Sequence, residues 1–212
     1  MLKSRLVVAG AIALLAINPG CGQKLTPITA IFMLDTSASS AKYRGEAAWS
    51  IMAITEQLQR SIDRVALYRV NNRVHNLYTG DPVRRGLKSV ITAYMDSPQD
   101  AGGTAYGTAL VRGLEEAKLA AEKGHRVGLF ILGDGADERV KDGGNIDDAL
   151  LNTVKQEFPK DGVLAFMYVD PKNGDRIYSS LNSSLGPRFK ALPPEASQNR
   201  QVLREIMQHL GR

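Results

Sequence analysis

One carboxyl group and two hydroxyl groups occur at alternating positions where an apolar run of the chain ends. The segment ITAIFMLDTSASS closes with Asp35, Ser37 and Ser39. Side chains two residues apart in an extended segment project to the same side, so these three groups could face a common point. A catalytic nucleophile, a set of metal ligands and a helix cap all use such groups. Other segments of the chain are needed to choose among these roles.

Two further segments carry oxygen-bearing side chains at similar boundaries. Thr104, in GGTAYGTAL, precedes a helical pattern, and Asp134, in LFILGDGADE, follows the apolar run 126–132. If these segments meet, two carboxylates and three hydroxyls form a set of hard oxygen ligands, which suits Mg²⁺ or Mn²⁺. None of the three segments contains His or Cys, so a zinc site is not expected there.

The spacing of apolar residues indicates how the chain could bring these segments together. Strands are predicted at 28–35, 64–70, 73–80, 126–132 and 162–169, with a last edge strand within 188–193. Helical spacing follows at 47–62, 84–95, 105–123, 147–158 and 201–210. Alternating strands and helices predict a doubly wound α/β fold with a mainly parallel sheet and helices on both faces. The Asn71-Asn72 pair predicts a hairpin and hence one antiparallel edge strand. Ligands of such sheets bind at the carboxyl ends of the strands.

The three segments resemble the metal-ion-dependent adhesion site of the von Willebrand factor A (vWA) domain. Asp-x-Ser-x-Ser after a first strand, Gly-Gly-Thr before a helix and Asp-Gly after a later strand occur in the family's order. The resemblance, which extends over residues 26–210, implies a vWA/Rossmann-like fold. It implies that the cation is held by Asp35, Ser37, Ser39, Thr104 and Asp134.

The same resemblance implies a non-enzymatic adhesion or assembly module. Its cation would accept the carboxylate of an Asp or Glu from a partner protein, and neighbouring loops would provide specificity. The residues expected at the rim are Tyr106, Asp81, Asp137, Glu138 and 139–146. The chain departs from the family at Gly133, where Thr or Ser is common.

Two other functions stay open at this point. A strand-end Asp can be the nucleophile of an aspartate-based, Mg²⁺-dependent phosphatase or other hydrolase. Those enzymes use a second Asp two positions later as general acid, where this chain has Ser37, and it contains no Gly-x-Ser-x-Gly, His-Glu-x-x-His or Walker motif. The expectation is therefore no enzymatic activity. The second alternative is a metal-free vWA scaffold, in which the serines cap the following helix.

The first 21 residues are typical of an export signal. MLKSRLVVAGAIALLAINPGC has a basic head and an apolar stretch from Leu6 to Ile17. About twelve residues rise only about 18 Å as a helix, less than the ~30 Å of a bilayer core, so a signal peptide is favoured over a membrane span. Cys21, the only cysteine, lies where bacterial lipoproteins carry their lipidated cysteine.

Residues 1–21 are thus expected to form a signal peptide and residues 22–212 a single domain. The expected location is periplasmic or cell-surface, with lipidated Cys21 as the candidate membrane tether. A secreted soluble protein and a leader retained as an anchor are the alternatives. The net charge is +5, but basic clusters such as Arg84-Arg85 are short and lack interleaved aromatic residues, so no nucleic-acid binding is expected.

Overall fold

A six-stranded mixed sheet organises the fold. The computed structural model describes residues 25–98, 103–135, 146–170 and 175–212. The strands are β1 (Ile28–Asp35), β2 (Arg64–Val70), β3 (Val74–Gly80), β4 (Arg126–Leu132), β5 (Val163–Met167) and β6 (Phe189–Leu192). Their order in the sheet is β3-β2-β1-β4-β5-β6, and only the β2–β3 pair is antiparallel. The predicted fold class, with its antiparallel edge strand, is confirmed.

Seven helices cover the two faces of this sheet within the described residues. They are α1 (Arg44–Thr55), α2 (Arg84–Met95), α3 (Tyr106–Glu122), α4 (Asp148–Glu157), α5 (Asp175–Leu185), α6 (Pro194–Ser197) and α7 (Arg200–His209). Two short 3₁₀ helices occupy Ser39–Tyr43 and Gly186–Arg188. In the parts of the chain that the structure describes, no helix combines the length and the apolar character needed to cross a bilayer.

The position of β1 in the middle of the sheet explains why its own sequence is almost continuously apolar. Phe32 and Leu34 of β1 belong to a core with residues of α1, α2 and α7, whereas Ile31 and Met33 belong to a second core with residues of α3, α4 and α5. Both faces of β1 are therefore buried, as expected for an inner parallel strand. This layering places the ends of β1 at two opposite edges of the molecule.

Two differences from the sequence prediction have local causes. Strand β5 ends at Met167, before the predicted end at 169, because Tyr168 adopts a positive φ of 71° and leaves the extended conformation. Its hydroxyl donates to the carbonyl of Glu46 over 2.5 Å. Helix α5 was not predicted, since its sequence DRIYSSLNSSL is rich in Ser and Asn, which are weak helix formers. Burial of Leu181 against the sheet supplies the stabilisation instead.

A buried ion pair closes the edge at which the parallel strands begin. Arg212 Nη2 lies 2.5 Å from Asp63 Oδ1, and Arg212 Nε lies 3.1 Å from Asp63 Oδ2. The two side chains are 6% and 0% exposed. Asp63 also accepts hydrogen bonds from the backbone amides of Ile28, at 2.8 Å, and Gln59, at 2.7 Å. The pair therefore joins the end of α7 to the start of β1.

Replacing Arg212 by Ala is expected to lower the free energy of unfolding by about 3–5 kcal/mol, because it leaves the buried Asp63 carboxylate without its cation. Urea denaturation followed by circular dichroism measures this change. Arg204→Ala, at an exposed position of α7, should change stability by less than about 0.5 kcal/mol. Equal effects of the two substitutions would contradict the role given to the ion pair.

Candidate functional site

The candidate site lies at the edge where the parallel strands end, called here the carboxyl edge. Strands β1 and β4 are neighbours and parallel, so Asp35 and the residues just after Leu132 lie at the same edge. The loop before α3 reaches this edge because the amide of Ala105 donates to the carbonyl of Asn71, beside the end of β2. The predicted convergence of the three segments is therefore present in the fold.

Asp35 is the centre of this arrangement. Its side chain is 1% exposed and accepts four hydrogen bonds. Oδ1 accepts from the amide of Ser37 and the hydroxyl of Thr104, both at 2.8 Å. Oδ2 accepts from the hydroxyls of Ser40, at 2.5 Å, and Tyr106, at 2.6 Å. Two bonds to each oxygen use the usual acceptor capacity of a carboxylate, so Asp35 orients its neighbours.

The hydroxyls of Ser37 and Ser39 face each other next to this carboxylate. Their Oγ atoms are 3.1 Å apart. Ser37 is buried, whereas Ser39 is exposed and opens the group towards solvent. Thr104 is buried and donates its proton to Asp35, so its oxygen retains lone pairs for a further partner. The Thr104 hydroxyl and the Ser37 amide both bond to Asp35 Oδ1, which places the Ser37–Ser39 pair in the same neighbourhood.

Capping does not account for these serines. The 3₁₀ helix at Ser39–Tyr43 and helix α1 both begin without a side-chain cap. Ser37 Oγ accepts only a long bond, 3.4 Å, from the amide of Ser40. The predicted alternative of simple helix caps is therefore not supported by the hydrogen bonds.

Asp134 lies beside the same group. Its amide donates to Ser40 Oγ over 3.2 Å, and Ser40 Oγ in turn donates to Asp35. The side chain of Asp134 is largely buried. Its carbonyl accepts from the amide of Asp170 over 3.0 Å. All five predicted site residues thus belong to one neighbourhood, with Ser40 as a link that the sequence pattern did not identify.

Tyr106 has a role different from the predicted one. It was expected at the rim, but it is 1% exposed, and its hydroxyl donates to Asp35 and accepts from the amide of Gly135 over 3.3 Å. Burial and the nearby carboxylates of Asp35 and Asp134 raise the pKa of the Tyr106 phenol well above its ordinary value. Tyr106 therefore keeps its proton and serves as an internal hydrogen-bond donor.

Gly133 and Tyr106 share one space. A Cβ atom on Gly133 would lie 2.2 Å from the Tyr106 hydroxyl oxygen and 2.7 Å from Asp35 Oδ2. Only glycine allows such an approach. The departure from the family at Gly133 is therefore explained by the phenol of Tyr106, which fills the volume of the missing side chain.

Other predicted rim residues divide into two groups. Asp81 follows β3 at the opposite edge, where it lies 2.5 Å from Arg64 at the start of β2. Its predicted place at the rim was wrong, because the antiparallel β3 ends where the parallel strands begin. Asp137, Glu138 and 139–145 lie outside the described residues, as do Cys21 and the rest of the predicted signal peptide.

Backbone supports of the site were also missed by sequence reasoning. Tyr94, from α2, donates to the carbonyl of Asp35 over 3.2 Å. The buried guanidinium of Arg44 donates to the carbonyl of Thr36 over 3.0 Å and to that of Ser97. No spacing rule in the sequence points to these contacts: two of them join segments more than 50 residues apart, and the third depends on the direction taken by the Arg44 side chain.

The donor set differs from a typical transition-metal centre. Within the ranges that the structure describes, no three or more His, Cys, Asp or Glu side chains are placed to hold a metal ion. The site offers hydroxyl oxygens and two carboxylates instead. Such a set favours a hard cation that retains some water ligands.

Comparison with solved structures identifies the fold. The chain is similar to a von Willebrand factor type A protein from Catenulispora acidiphila, with a TM-score of 0.59, 12% identity and coverage of 88% of this chain and 43% of that one. It is similar to the pilus adhesin SpaC from Lactobacillus rhamnosus GG, with a TM-score of 0.60, 14% identity and coverage of 89% and 31%. For BatB from Bacteroides thetaiotaomicron, the TM-score is 0.57, the identity 13% and the coverage 86% and 98%.

These similarities establish a vWA-type fold and no more than the fold, because the identities are low. The chain spans less than half the length of the first two proteins. No protein-family model matches the chain, and no curated protein matches it significantly.

Proposed function

We propose that this vWA-type fold binds Mg²⁺ or Mn²⁺ at the group formed by Asp35, Ser37, Ser39, Thr104 and Asp134, in which Asp35 orients its neighbours by hydrogen bonds, and thereby holds an acidic group of a partner protein. The separation of the Ser37 and Ser39 hydroxyl oxygens, 3.1 Å, is the observation that carries the proposal. Adjacent ligands of an octahedral Mg²⁺ at roughly 2.0–2.1 Å are about 2.9 Å apart. The Ser37–Ser39 pair is therefore spaced approximately as two adjacent ligands of the cation would be.

The bound cation would supply a Lewis-acidic position for a carboxylate oxygen of the partner. Asp35 prepares the site by accepting hydrogen bonds from the hydroxyls of Thr104 and Ser40, so the hydrogen of each hydroxyl points towards Asp35 and the oxygen lone pairs face other partners. The four hydrogen bonds to Asp35 partly screen its negative charge. This charge therefore weakens the attraction between the cation and an incoming partner carboxylate less. Ser39, as the exposed member, marks the side from which a partner can approach.

The environment of Asp35 argues against an aspartate-based hydrolase. A nucleophilic carboxylate must reach the substrate with a free oxygen. Both oxygens of Asp35 are buried and accept two hydrogen bonds each. We therefore propose a binding role without enzymatic activity. The similarity to a pilus adhesin supports a partner met outside the cytoplasm, as do the predicted signal peptide and Cys21.

Isothermal titration of Mg²⁺ and Mn²⁺ into the full chain and its Ser39→Ala variant tests the proposal. Ser39 is exposed and bonds only to Ser37 among its described contacts, so its removal should leave stability unchanged. We expect the affinity to fall by at least about tenfold, since even outer contacts of metal sites contribute about 10- to 100-fold. At a metal concentration of 100 times Kd, the parent chain should gain about 2.7 kcal/mol of stability.

Thr108→Ala is the matched control, because Thr108 is an exposed hydroxyl in the first turn of α3 that lies outside the proposed set. Its metal affinity should equal that of the parent chain. Each titration is repeated with acetate present, as a surrogate for the partner carboxylate. Absence of saturable binding in both conditions, or equal affinity of Ser39→Ala and the parent, would favour the metal-free scaffold.

A further inference from the structure

The edge of the sheet opposite to the candidate site differs from the carboxyl edge in its balance of charged residues. This basal face comprises the starts of the parallel strands, the turns that precede them, and the adjacent ends of β3 and of the neighbouring helices. The described chain enters the fold here: the carbonyl of Pro27 accepts from the amide of Arg126 over 2.8 Å, and the carbonyl of Thr26 accepts from Arg212 over 3.2 Å. Leu25, the first described residue, is an apolar side chain that is 43% exposed.

Basic groups predominate on the basal face. Its exposed or half-buried basic residues are Arg60, Arg85, Lys123, Arg126, Lys160 and Arg188. Of its acids, Asp63 and Asp81 form ion pairs with Arg212 and Arg64, Glu157 pairs with Lys118, and Glu56, Glu122 and Asp161 are exposed. The carboxyl edge has the opposite balance, with Asp35, Asp96, Asp134, Asp147, Asp148 and Asp170 against Lys42, Arg44 and Arg73. In the described part of the molecule, basic groups are therefore in excess at the basal face and acidic groups at the carboxyl edge.

The basal face also contains a cleft of suitable size for a small anionic group. Its volume is about 260 Å³, and its lining includes Thr26, His125, Arg126, Lys160 and Asp161. Arg126 and Lys160 thus line one cleft, together with Asp161, beside the point at which the chain enters the fold.

The chain length before the fold restricts the distance of this face from a membrane. Cys21 and Leu25 are four residues apart, which allows a separation of at most about 14 Å. From Ile17, where the apolar stretch of the leader ends, the corresponding limit is about 29 Å. A lipidated Cys21 or a retained leader would therefore hold the basal face close to the membrane. The candidate site would lie a further ~23 Å away, at the other end of β1.

We propose that the basal face docks on an anionic phospholipid surface, so that the carboxyl edge points away from the membrane towards partners. Proximity comes from the predicted N-terminal tether, and attraction comes from the basic side chains acting on lipid phosphates. Each basic residue near an anionic membrane contributes roughly a fivefold gain in affinity at moderate ionic strength. This proposal is independent of metal binding at Asp35.

Lysine footprinting of the full chain in lipid nanodiscs tests this docking. The chain is incorporated into discs of phosphatidylcholine alone or with phosphatidylglycerol, in the presence of EDTA, and acetylated with a water-soluble reagent before mass spectrometry. Lys123 and Lys160 report on the basal face, and exposed Lys42 reports on the carboxyl edge. We expect the acetylation rates of Lys123 and Lys160 to fall at least about threefold in the anionic discs, with Lys42 unchanged. High salt should abolish this difference.

Two charge reversals make the test specific. Arg60→Glu, on the basal face, should reduce the protection of Lys123 and Lys160, whereas Arg73→Glu, at an exposed position by the carboxyl edge, should leave it intact. Circular dichroism verifies that both variants are folded. Equal acetylation of the basal lysines in the two kinds of disc would overturn the proposal. Protection that is the same in phosphatidylcholine and insensitive to salt would also overturn it, since attraction by charge would then play no part.

Discussion

Asp35→Ala is expected to abolish metal binding and to destabilise the fold even without metal. The substitution removes the acceptor of four hydrogen bonds. The donors that lose this acceptor are the amide of Ser37 and the hydroxyls of Thr104, Ser40 and Tyr106. Because each buried donor that loses a charged acceptor is costly, we expect a loss of about 3 kcal/mol in the free energy of unfolding. Urea denaturation in EDTA measures the stability, and titration with Mn²⁺ measures the affinity.

Asp35→Asn and Ser39→Ala separate the two effects. Asn keeps the size and one carbonyl oxygen, so its loss of stability should be smaller than that of Ala, although its affinity for metal should also be lost. Ser39→Ala should lose affinity at unchanged stability, because Ser39 is exposed. If Asp35→Ala unfolds at the same urea concentration as the parent chain in EDTA, the hydrogen bonds to this carboxylate do not stabilise the fold, and the role given to Asp35 is wrong.

Gly133→Ser is expected to be among the most destabilising single changes at the site. The new Cβ atom would lie 2.2 Å from the Tyr106 hydroxyl oxygen and 2.7 Å from Asp35 Oδ2, so the end of β4 or the phenol must move. Overpacking of this kind costs about 1–3 kcal/mol or more in a well-packed core, and we expect the upper part of that range. The same change at Gly45, where a Cβ atom would meet nothing within 4 Å, should cost less than about 0.5 kcal/mol.

A double-mutant cycle identifies Tyr106 as the partner of Gly133. Tyr106→Phe alone should cost about 1–2 kcal/mol, since it removes the hydrogen bonds to Asp35 and from Gly135. It also removes the atom closest to the new Cβ. In the double variant, the total loss should therefore be smaller than the sum of the single losses by about 1–2 kcal/mol. Strictly additive losses would show that the phenol does not occupy the space of the missing side chain.

The elements that carry the site were largely predictable because their signals are local. Continuous apolar runs marked β1 and β4 as covered strands, and Asn71-Asn72 marked the turn between β2 and β3. From the alternation of strands and helices, Asp35, Thr104 and Asp134 were expected at one edge, where the structure has them. Helix α5 escaped prediction because its Ser- and Asn-rich sequence forms a helix only when its apolar residues pack on the sheet.

The misplacement of Asp81 was avoidable. A hairpin reverses the direction of its second strand, so the end of β3 had to lie with the start of β2. The error for Tyr106 was of another kind. Its position two residues after Thr104 predicted proximity to the site, but no local pattern shows whether an aromatic side chain points outward or inward.

The sequence by itself determined which residues could form an oxygen-rich group and at which edge of the sheet they would lie, because strand direction and turn chemistry are short-range properties. Only the tertiary structure decided how the members contact one another. The hydrogen bonds from Thr104 and Tyr106 to Asp35, the link between Ser40 and Asp134 and the shared space of Gly133 and Tyr106 depend on packing between segments about 30 to 100 residues apart. Such packing depends on how all the core side chains fill the available volume, and no single segment of the sequence contains that information.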